Sequence, residues 1–349
     1  MAMGAVSPPP VVNAPSVASP SVTILVTGGA GYIGSHTVRR LQHDGADVVV
    51  LDSLELGDQR AIPDIPLVVA DIADTDAVAA ACRAYGVTQV VHFAAYKNVG
   101  ESMARPSKYW LNNVAGTVKL VDALLDAGVE ELVFSSSCSV NGTPPATPVT
   151  EAMPVAPESV YAESKAMMER ILGWYGVTNG LRTVSLRYFN AAGASMDGAY
   201  GEVWEHSLNL VPIAMKATLG RHPPLEVFGT DYPTPDGTCI RDYVHVDDLA
   251  DAHVRALDYL ASGGATVELN VGTGVGSSVL DVIRTTEHFA DRPVPHTMVG
   301  RRAGDPVSTF ADPTRIAETL GWQATRGLDD IVASAWRWHS RHPDGYGDG

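Results

Sequence analysis

With 349 residues, 45% of them hydrophobic and 18% charged, the chain can bury one large core or two modest ones, as an ordinary compact protein does. Its net charge of −16 argues against a nucleic-acid-binding surface, though not against an anion site built locally from backbone dipoles. No apolar run reaches the length of a membrane span, and the scattered Cys82, Cys138 and Cys239 make neither a disulfide framework nor a zinc cluster; the expectations are no membrane, no metal and a reducing, cytoplasmic compartment.

Residues 1–21 are mainly Ala, Pro, Ser and Val without a positive charge, and read as a disordered tail rather than a secretory signal. The apolar, β-branched run Val22–Thr27 predicts a buried parallel strand. Gly28, Gly31 and Gly34 follow at three-residue spacing, ahead of a helix predicted over 32–44. Strand, glycine turn and helix N-terminus in that order make a seat for a dinucleotide pyrophosphate. The missing Cβ atoms let the backbone approach the phosphates, and the free N–H groups of the first turn face their charge. A strand over 48–51 ends in Asp52, 18 residues past Gly34, where such folds hold the adenosine ribose hydroxyls with a carboxylate. That acid favours NAD over NADP, whose 2′-phosphate would meet a like charge.

Further strands are predicted over 67–70, 89–93, 132–135 and 183–186, and helices over 74–85, 106–127 and 161–175. The alternation predicts an α/β fold with a doubly wound parallel Rossmann sheet. Beyond Asn190 the rhythm gives way to loops rich in Gly, Pro and Asp. The expected division is therefore a nucleotide-binding domain over 22–190, rejoined by a segment around 238–265, and a smaller C-terminal α/β substrate domain over 191–345.

Tyr161 and Lys165 stand four apart in a segment of helical periodicity, which puts them on one helix face. An ammonium beside a phenol favours the phenolate, and a phenolate can take a proton from a sugar hydroxyl while hydride leaves the carbon. Ser135, Ser136 and Ser137 close the fifth strand at the edge where a nicotinamide would lie. His206 stands close to Asn209, and a local hydrogen bond in a loop explains it as well as a role in the pocket does. Neither it nor His245 and His253 forms a cluster at metal-ligand spacing.

TGGAGYIG resembles the TGGxGxxG run of the extended short-chain dehydrogenase/reductase family. TGGAGYIGSH, VHFAAYKNVGES, NNVAGT, FSSS, YAESK, RYFNAAGA, YPTPDGTCIRDYVHVDDLA, LNVGTGVGSSVLDV and WHSRHPDGY together resemble the UDP-glucose 4-epimerase family over 22–346. The resemblance implies tightly held NAD, a UDP-hexose substrate and transient oxidation at hexose C4, with rotation of the 4-keto sugar before hydride returns. It implies Tyr161 as base and acid, Lys165 as its tuner and ribose ligand, and Ser137 as a hydrogen-bond partner of the reacting oxygen. Around the cofactor it places Gly28, Gly31, Tyr32, Ile33, Gly34, Asp52, Ser53, Asp71, Ile72, Phe93, Ala94, Ala95, Lys97, Asn112 or Asn113, Ser135 and Tyr188. Around the nucleotide sugar, besides Lys97, Ser137 and Tyr161, it places Asn190, Asn209, Leu210, Phe228, Arg241, Tyr243, Arg302, Asp305 and Thr309. It also implies a homodimer through the helices at 106–127 and 161–175.

Two positions depart from or qualify the family pattern. Asn141 stands where the family usually has a tyrosine bordering the sugar, which bears on turnover or substrate preference. Thr309 occupies a position whose bulk varies with tolerance for a C2 N-acetyl group, and its small size leaves N-acetylated UDP-sugars open as second substrates. Sugar 4,6-dehydratases carry an Asp-Glu pair after the active-strand serine or threonine. Here Cys138 and Ser139 stand there, so elimination is poorly equipped. Pentose substrates remain open, and a catalytically silent nucleotide-sugar binder is the reading of a different class.

Overall fold

The computed structural model describes residues 22–203, 207–302 and 304–347. The first half alternates as expected: β1 (Thr23–Thr27), α1 (Tyr32–His43), β2 (Asp47–Asp52), β3 (Leu67–Val69), α2 (Thr75–Tyr85) and β4 (Val87–His92). There follow α3 (Val99–Ala104), α4 (Pro106–Tyr109), a π-helical stretch (Trp110–Gly116), α5 (Thr117–Asp126), β5 (Glu131–Ser137), α6 (Val160–Asn179) and β6 (Arg182–Tyr188). Local chemistry sets the ends. The Asp74 carboxylate accepts the Ala77 N–H ahead of α2, the Ser159 hydroxyl accepts the Ala162 N–H ahead of α6, and Gly86 and Gly180 terminate these helices in the left-handed region. The helix expected over 106–127 is not uniform: its middle widens into π turns, a form that recurs at functional sites.

The second half comprises β7 (Asn190–Ala192), α7 (Leu210–Thr218), β8 (Leu225–Phe228), β9 (Ile240–His245), α8 (Val246–Ala261), β10 (Val267–Val271), β11 (Gly276–Ser278), α9 (Val279–Ala290), β12 (His296–Val299), β13 (Ser308–Thr309), α10 (Thr314–Leu320) and α11 (Leu328–Arg341).

The large sheet runs β10-β6-β5-β4-β1-β2-β3, all parallel. Its topological switch lies between β1 and β4, where a ligand crevice opens at the carboxyl ends of the strands. Apolar residues cover both faces. Val38 and Leu41 of α1 join Leu249 and Leu257 of α8 on one side, and Leu120 and Leu124 of α5 join Met168 and Leu172 of α6 on the other. The return of the chain to this sheet is made by α8 and β10. β9, at the start of the segment expected to return, belongs instead to a small four-stranded sheet in which it pairs with β7, β11 and β13. A two-stranded parallel pair, β8–β12, completes the smaller lobe, while α7, α9 and α11 pack around Tyr243 and Ala192. Among the described residues, no helix is long and apolar enough to cross a membrane.

Candidate active site

A cleft of about 560 Å³ opens at the carboxyl ends of the large sheet. The turn after β1 is its floor. Gly28 has φ +72°, and a Cβ there would lie 2.6 Å from the Ala94 nitrogen; a Cβ on Gly34 would lie 2.3 Å from the Gly28 carbonyl oxygen. These positions exclude any side chain, so the backbone itself forms the phosphate-facing surface. At the end of β2, Asp52 Oδ2 accepts the Ala30 N–H at 3.0 Å and Oδ1 the Leu54 N–H at 2.9 Å. Burial raises the pKa of this carboxyl, and the two backbone donors work against the rise. A glycine cradle at the switch point with an acid on the neighbouring strand fits NAD. Every cofactor position expected above except Asn113 lines this cleft.

Asn113 does other work from the π-helical stretch. Its Oδ1 accepts the Tyr96 N–H at 3.0 Å, and its Nδ2 donates to the Tyr96 carbonyl at 2.9 Å and to Ser164 Oγ at 3.2 Å. Ser164 Oγ in turn donates to the Tyr161 carbonyl at 2.7 Å. Asn112 is the member of the pair that faces the cleft, and Asn113 braces the peptide opposite it.

At the inner end, α6 presents Tyr161 and Lys165 to the cleft. Lys165 is 4% exposed, and its Nζ donates to the Ser135 carbonyl at 2.7 Å. Burial drives it down to about 7, with Glu169 opposing. The Tyr161 phenol is pushed up to about 12 by burial, against a hydrogen bond from the Ser137 hydroxyl. The expected lowering of the phenol by Lys165 is thus not what governs this site: the ammonium is spent on Ser135, and desolvation of the phenol outweighs it. Ser135 Oγ hydrogen-bonds Tyr188 Oη, and Ser137 Oγ contacts Ser139 Oγ at 2.8 Å.

The positions expected around the sugar gather on the smaller lobe, beside β9. Asn190 is in register with Tyr243, and Thr309 with Arg241. Arg302 Nε donates to Asp305 Oδ2 at 3.0 Å, and an Arg241 Nη2 lies 3.6 Å from the other Asp305 oxygen. The Arg302 guanidinium sits 4.9 Å from the Phe228 ring centroid. Asn209 occupies the N-cap position of α7, with Leu210 as its first helical residue. Two planar guanidinium groups sharing one carboxylate make a cationic surface suited to a diphosphate. Ser207 and Leu208, just before Asn209, line the cofactor cleft, whereas none of the sugar positions expected on the smaller lobe does so itself.

Residues 24–272 match the model of the NAD dependent epimerase/dehydratase family. A UDP-glucose 4-epimerase of Azospirillum brasilense is 46% identical over 325 residues, 93% of each chain. The chain belongs to this family, in its UDP-glucose 4-epimerase branch. Among solved structures, the UDP-glucose 4-epimerase of Brucella ovis in complex with NAD superposes with a TM-score of 0.89 at 44% identity, covering 90% of this chain and 98% of that one. The Bifidobacterium longum enzyme in complex with NAD+ and UDP gives 0.87 at 36% identity, covering 93% and 100%.

Several cleft residues are absent from the site positions expected from sequence, although Tyr96 and Tyr346 stand inside the runs VHFAAYKNVGES and WHSRHPDGY. Glu202 and Tyr346 line the cleft from distant parts of the chain, and Tyr346 Oη donates to the Gly201 carbonyl at 3.0 Å. Tyr96 Oη donates to Glu55 at 2.5 Å while Lys108 Nζ lies 3.8 Å from the Tyr96 ring centroid, so aromatic and acidic groups border the end near Asp52. For Glu55 and Glu202, which lie outside those runs, the sequence signal was a polar residue in a loop that returns to the strand ends. Asn141 is 3% exposed, and its Nδ2 donates to the Pro154 carbonyl at 3.0 Å. His206 and the tail at 1–21 lie outside the described residues. Among the described residues, no group of three or more His, Cys, Asp or Glu side chains is placed to hold a metal ion.

Proposed function

We propose that this protein interconverts UDP-glucose and UDP-galactose with NAD as its resident cofactor. The observation that carries this reading is the placement of Tyr161, Lys165 and Ser135 in one cleft with the glycine cradle and Asp52, with Ser137 hydrogen-bonded to the Tyr161 phenol. NAD supplies the two-electron acceptor and donor for transient oxidation at hexose C4 and return of hydride to the other face of the 4-keto sugar. Tyr161 takes the C4 hydroxyl proton and gives it back. Its phenol, high when unaided, requires charge compensation at the moment of transfer, and Lys165, one turn further along the same helix face, is the cation placed to supply it. Ser137 steadies the reacting oxygen. Arg241 and Arg302 hold the diphosphate, with Asn190, Asn209, Leu210, Phe228, Tyr243, Asp305 and Thr309 shaping the rest of the nucleotide-sugar seat, and Lys97 reaches from the cofactor side.

The test is a coupled assay of UDP-galactose conversion to UDP-glucose by the purified protein with no cofactor added. Turnover under those conditions is expected, because the same NAD is restored in every cycle. A folded protein that stays silent with NAD supplied overturns the reading.

A homodimer is part of the same proposal. Leu111, Trp174 and Val177 project into solvent from the π-helical stretch and α6, at 69%, 68% and 77% exposure, and a twofold pairing of these helices would cover them. Residence in the cytoplasm is proposed on the three free cysteines, which a reducing compartment preserves.

A further inference from the structure

α6 carries Tyr161, Lys165 and Glu169 at four-residue intervals, one turn apart on one face. The first two face the cleft, and Glu169 lies beneath it. Glu169 and Arg187 are 8% and 5% exposed, and they meet in a two-point contact: Arg187 Nε to Oε1 at 2.9 Å and Nη2 to Oε2 at 2.6 Å. Ser136 Oγ also donates to Oε1, at 2.5 Å. Ser136 and Arg187 are register partners on β5 and β6. A single carboxylate on the helix therefore grips both β5 and β6, beside Ser135, whose carbonyl receives Lys165 Nζ.

Packing alone does not account for this choice of residues. A buried ion pair is commonly replaceable by apolar side chains of similar volume with no loss of stability. What the apolar pair would lack is a negative charge one turn below a buried ammonium. Lys165 forms no ion pair of its own among the described residues, and an isolated buried ammonium reverts to the neutral amine. Several charged and titratable groups stand around it. Tyr161 and Glu169 share its helix, His92 feels its charge from β4, and on β6 Arg187 bears on Glu169 while Tyr188 is coupled to Tyr161. Glu101 of α3, Tyr109 of α4 and Cys138 after β5 bear on neighbouring Tyr161 or on one another. Of these, Glu169 is the group that acts to keep the ammonium charged.

We propose that Glu169 is a positioning residue for the reaction: clamped by Arg187 and Ser136, its carboxylate keeps Lys165 a cation and fixes the strand end to which Lys165 is bound. This rests on the assignment of Lys165 to the cofactor site made above. Arg187 anchors the carboxylate in place, and Ser136 contributes a tether without charge.

The experiment is calorimetric titration with NAD, from pH 5.5 to 9, of the full-length chain stripped of the NAD it retains, beside the pH profile of kcat of the untreated protein, for wild type, Glu169→Gln and Ser136→Ala. Wild-type affinity for NAD is expected to fall as Lys165 loses its proton. Glu169→Gln is expected to move that alkaline limb down by about one pH unit, a roughly tenfold loss of affinity at a pH on the limb, with affinity within about twofold of wild type at the acid end. Ser136→Ala, which removes a tether and no charge, is expected to leave the limb in place. A limb that does not move in Glu169→Gln, or a loss equal at every pH, overturns the proposal. Should Glu169→Gln fail to fold, the double variant Glu169→Gln/Arg187→Met removes the stranded guanidinium as well; its limb must shift in the same way, and an unshifted limb overturns the proposal. A wild-type protein that binds no NAD removes the functional reading and this proposal together, whereas wild-type binding and turnover with an unshifted variant removes this proposal alone.

Discussion

Tyr32 Oη donates to the carbonyl of Gly193 at 2.7 Å. The phenol belongs to the first turn of α1, beside the glycine cradle, and Gly193 follows β7 on the smaller lobe. A Cβ at Gly193 would lie 3.0 Å from the His245 ring, and its φ of +98° is open only to glycine at low cost. The phosphate-facing helix is thereby tied to the lobe that carries the sugar residues. Tyr32→Phe strands the Gly193 carbonyl, so a loss of about 1–3 kcal/mol in urea unfolding is expected, together with weaker NAD binding by calorimetry.

Tyr161→Phe removes the proposed proton carrier and leaves the cradle untouched. Turnover of UDP-galactose is expected to fall roughly 10³-fold, while NAD bound by the purified protein stays at the wild-type stoichiometry. Coupled loss of both would assign Tyr161 to holding the cofactor rather than to proton transfer.

Asp52 receives two backbone N–H groups on the wall of the cleft. Asp52→Asn keeps the shape and discards the charge, and its expected effect is a weakening of NAD binding with a narrower preference over NADP, because the like-charge rejection of a 2′-phosphate is gone. Competition binding of the two cofactors measures it, and an unchanged preference would remove Asp52 from the ribose.

Lys165 also makes the cofactor-free protein sensitive to pH. Its folded value of about 7 lies below the 10.5 of a free lysine, so between these values the unfolded chain binds more protons than the folded one. Stability from this group therefore rises with pH across that window, and the cost of burying the ammonium is carried in full below it. Lys165→Met is expected to flatten this part of the curve of unfolding free energy against pH, by urea titration at pH 6 and pH 9. Equal slopes in variant and wild type would place the lysine charge elsewhere.

Asn141 carries a side chain whose amide reaches the Pro154 carbonyl. Its Oδ1 is buried without a partner among the described residues. Asn141→Ala is expected to cost about 1 kcal/mol of stability for the lost bond and to leave kcat within a few-fold of wild type. A collapse of turnover with the fold intact would make Asn141 a substrate contact.

The elements read best from sequence are those whose burial leaves an imprint of period. β1, with its apolar Ile24–Val26 centre, and β4, with Val87, Val90 and Val91, overlap the stretches where the pattern placed them, and the capping residues Asp74 and Ser159 mark the starts of α2 and α6. β7 and β13, at three and two residues, are too short to carry a period. The glycine turn, Asp52, Tyr161 and Lys165 were legible because their chemistry depends on local spacing. Glu202, Tyr346 and the Glu169–Arg187 pair were not, since nothing local to Glu169 says that Ser136 and Arg187 will be side by side. Asn112 and Asn113 could not be told apart, because ordinary helical spacing does not describe the stretch that holds them.

That stretch, Trp110–Gly116, has a consequence for how the chain tolerates length changes. A π turn accommodates a surplus residue within a helix, and each residue of an α-helix turns the axis by about 100°. Deleting one residue there would let the whole of 106–126 relax into plain α-helix with Tyr109 and α5 kept in phase, and the loss would fall on the local contacts of the widened turns, Asn113 to the Tyr96 peptide first among them. A deletion within the plain helix of α5 would instead turn everything before it by about 100°. The segment is where this helix best absorbs a change of length.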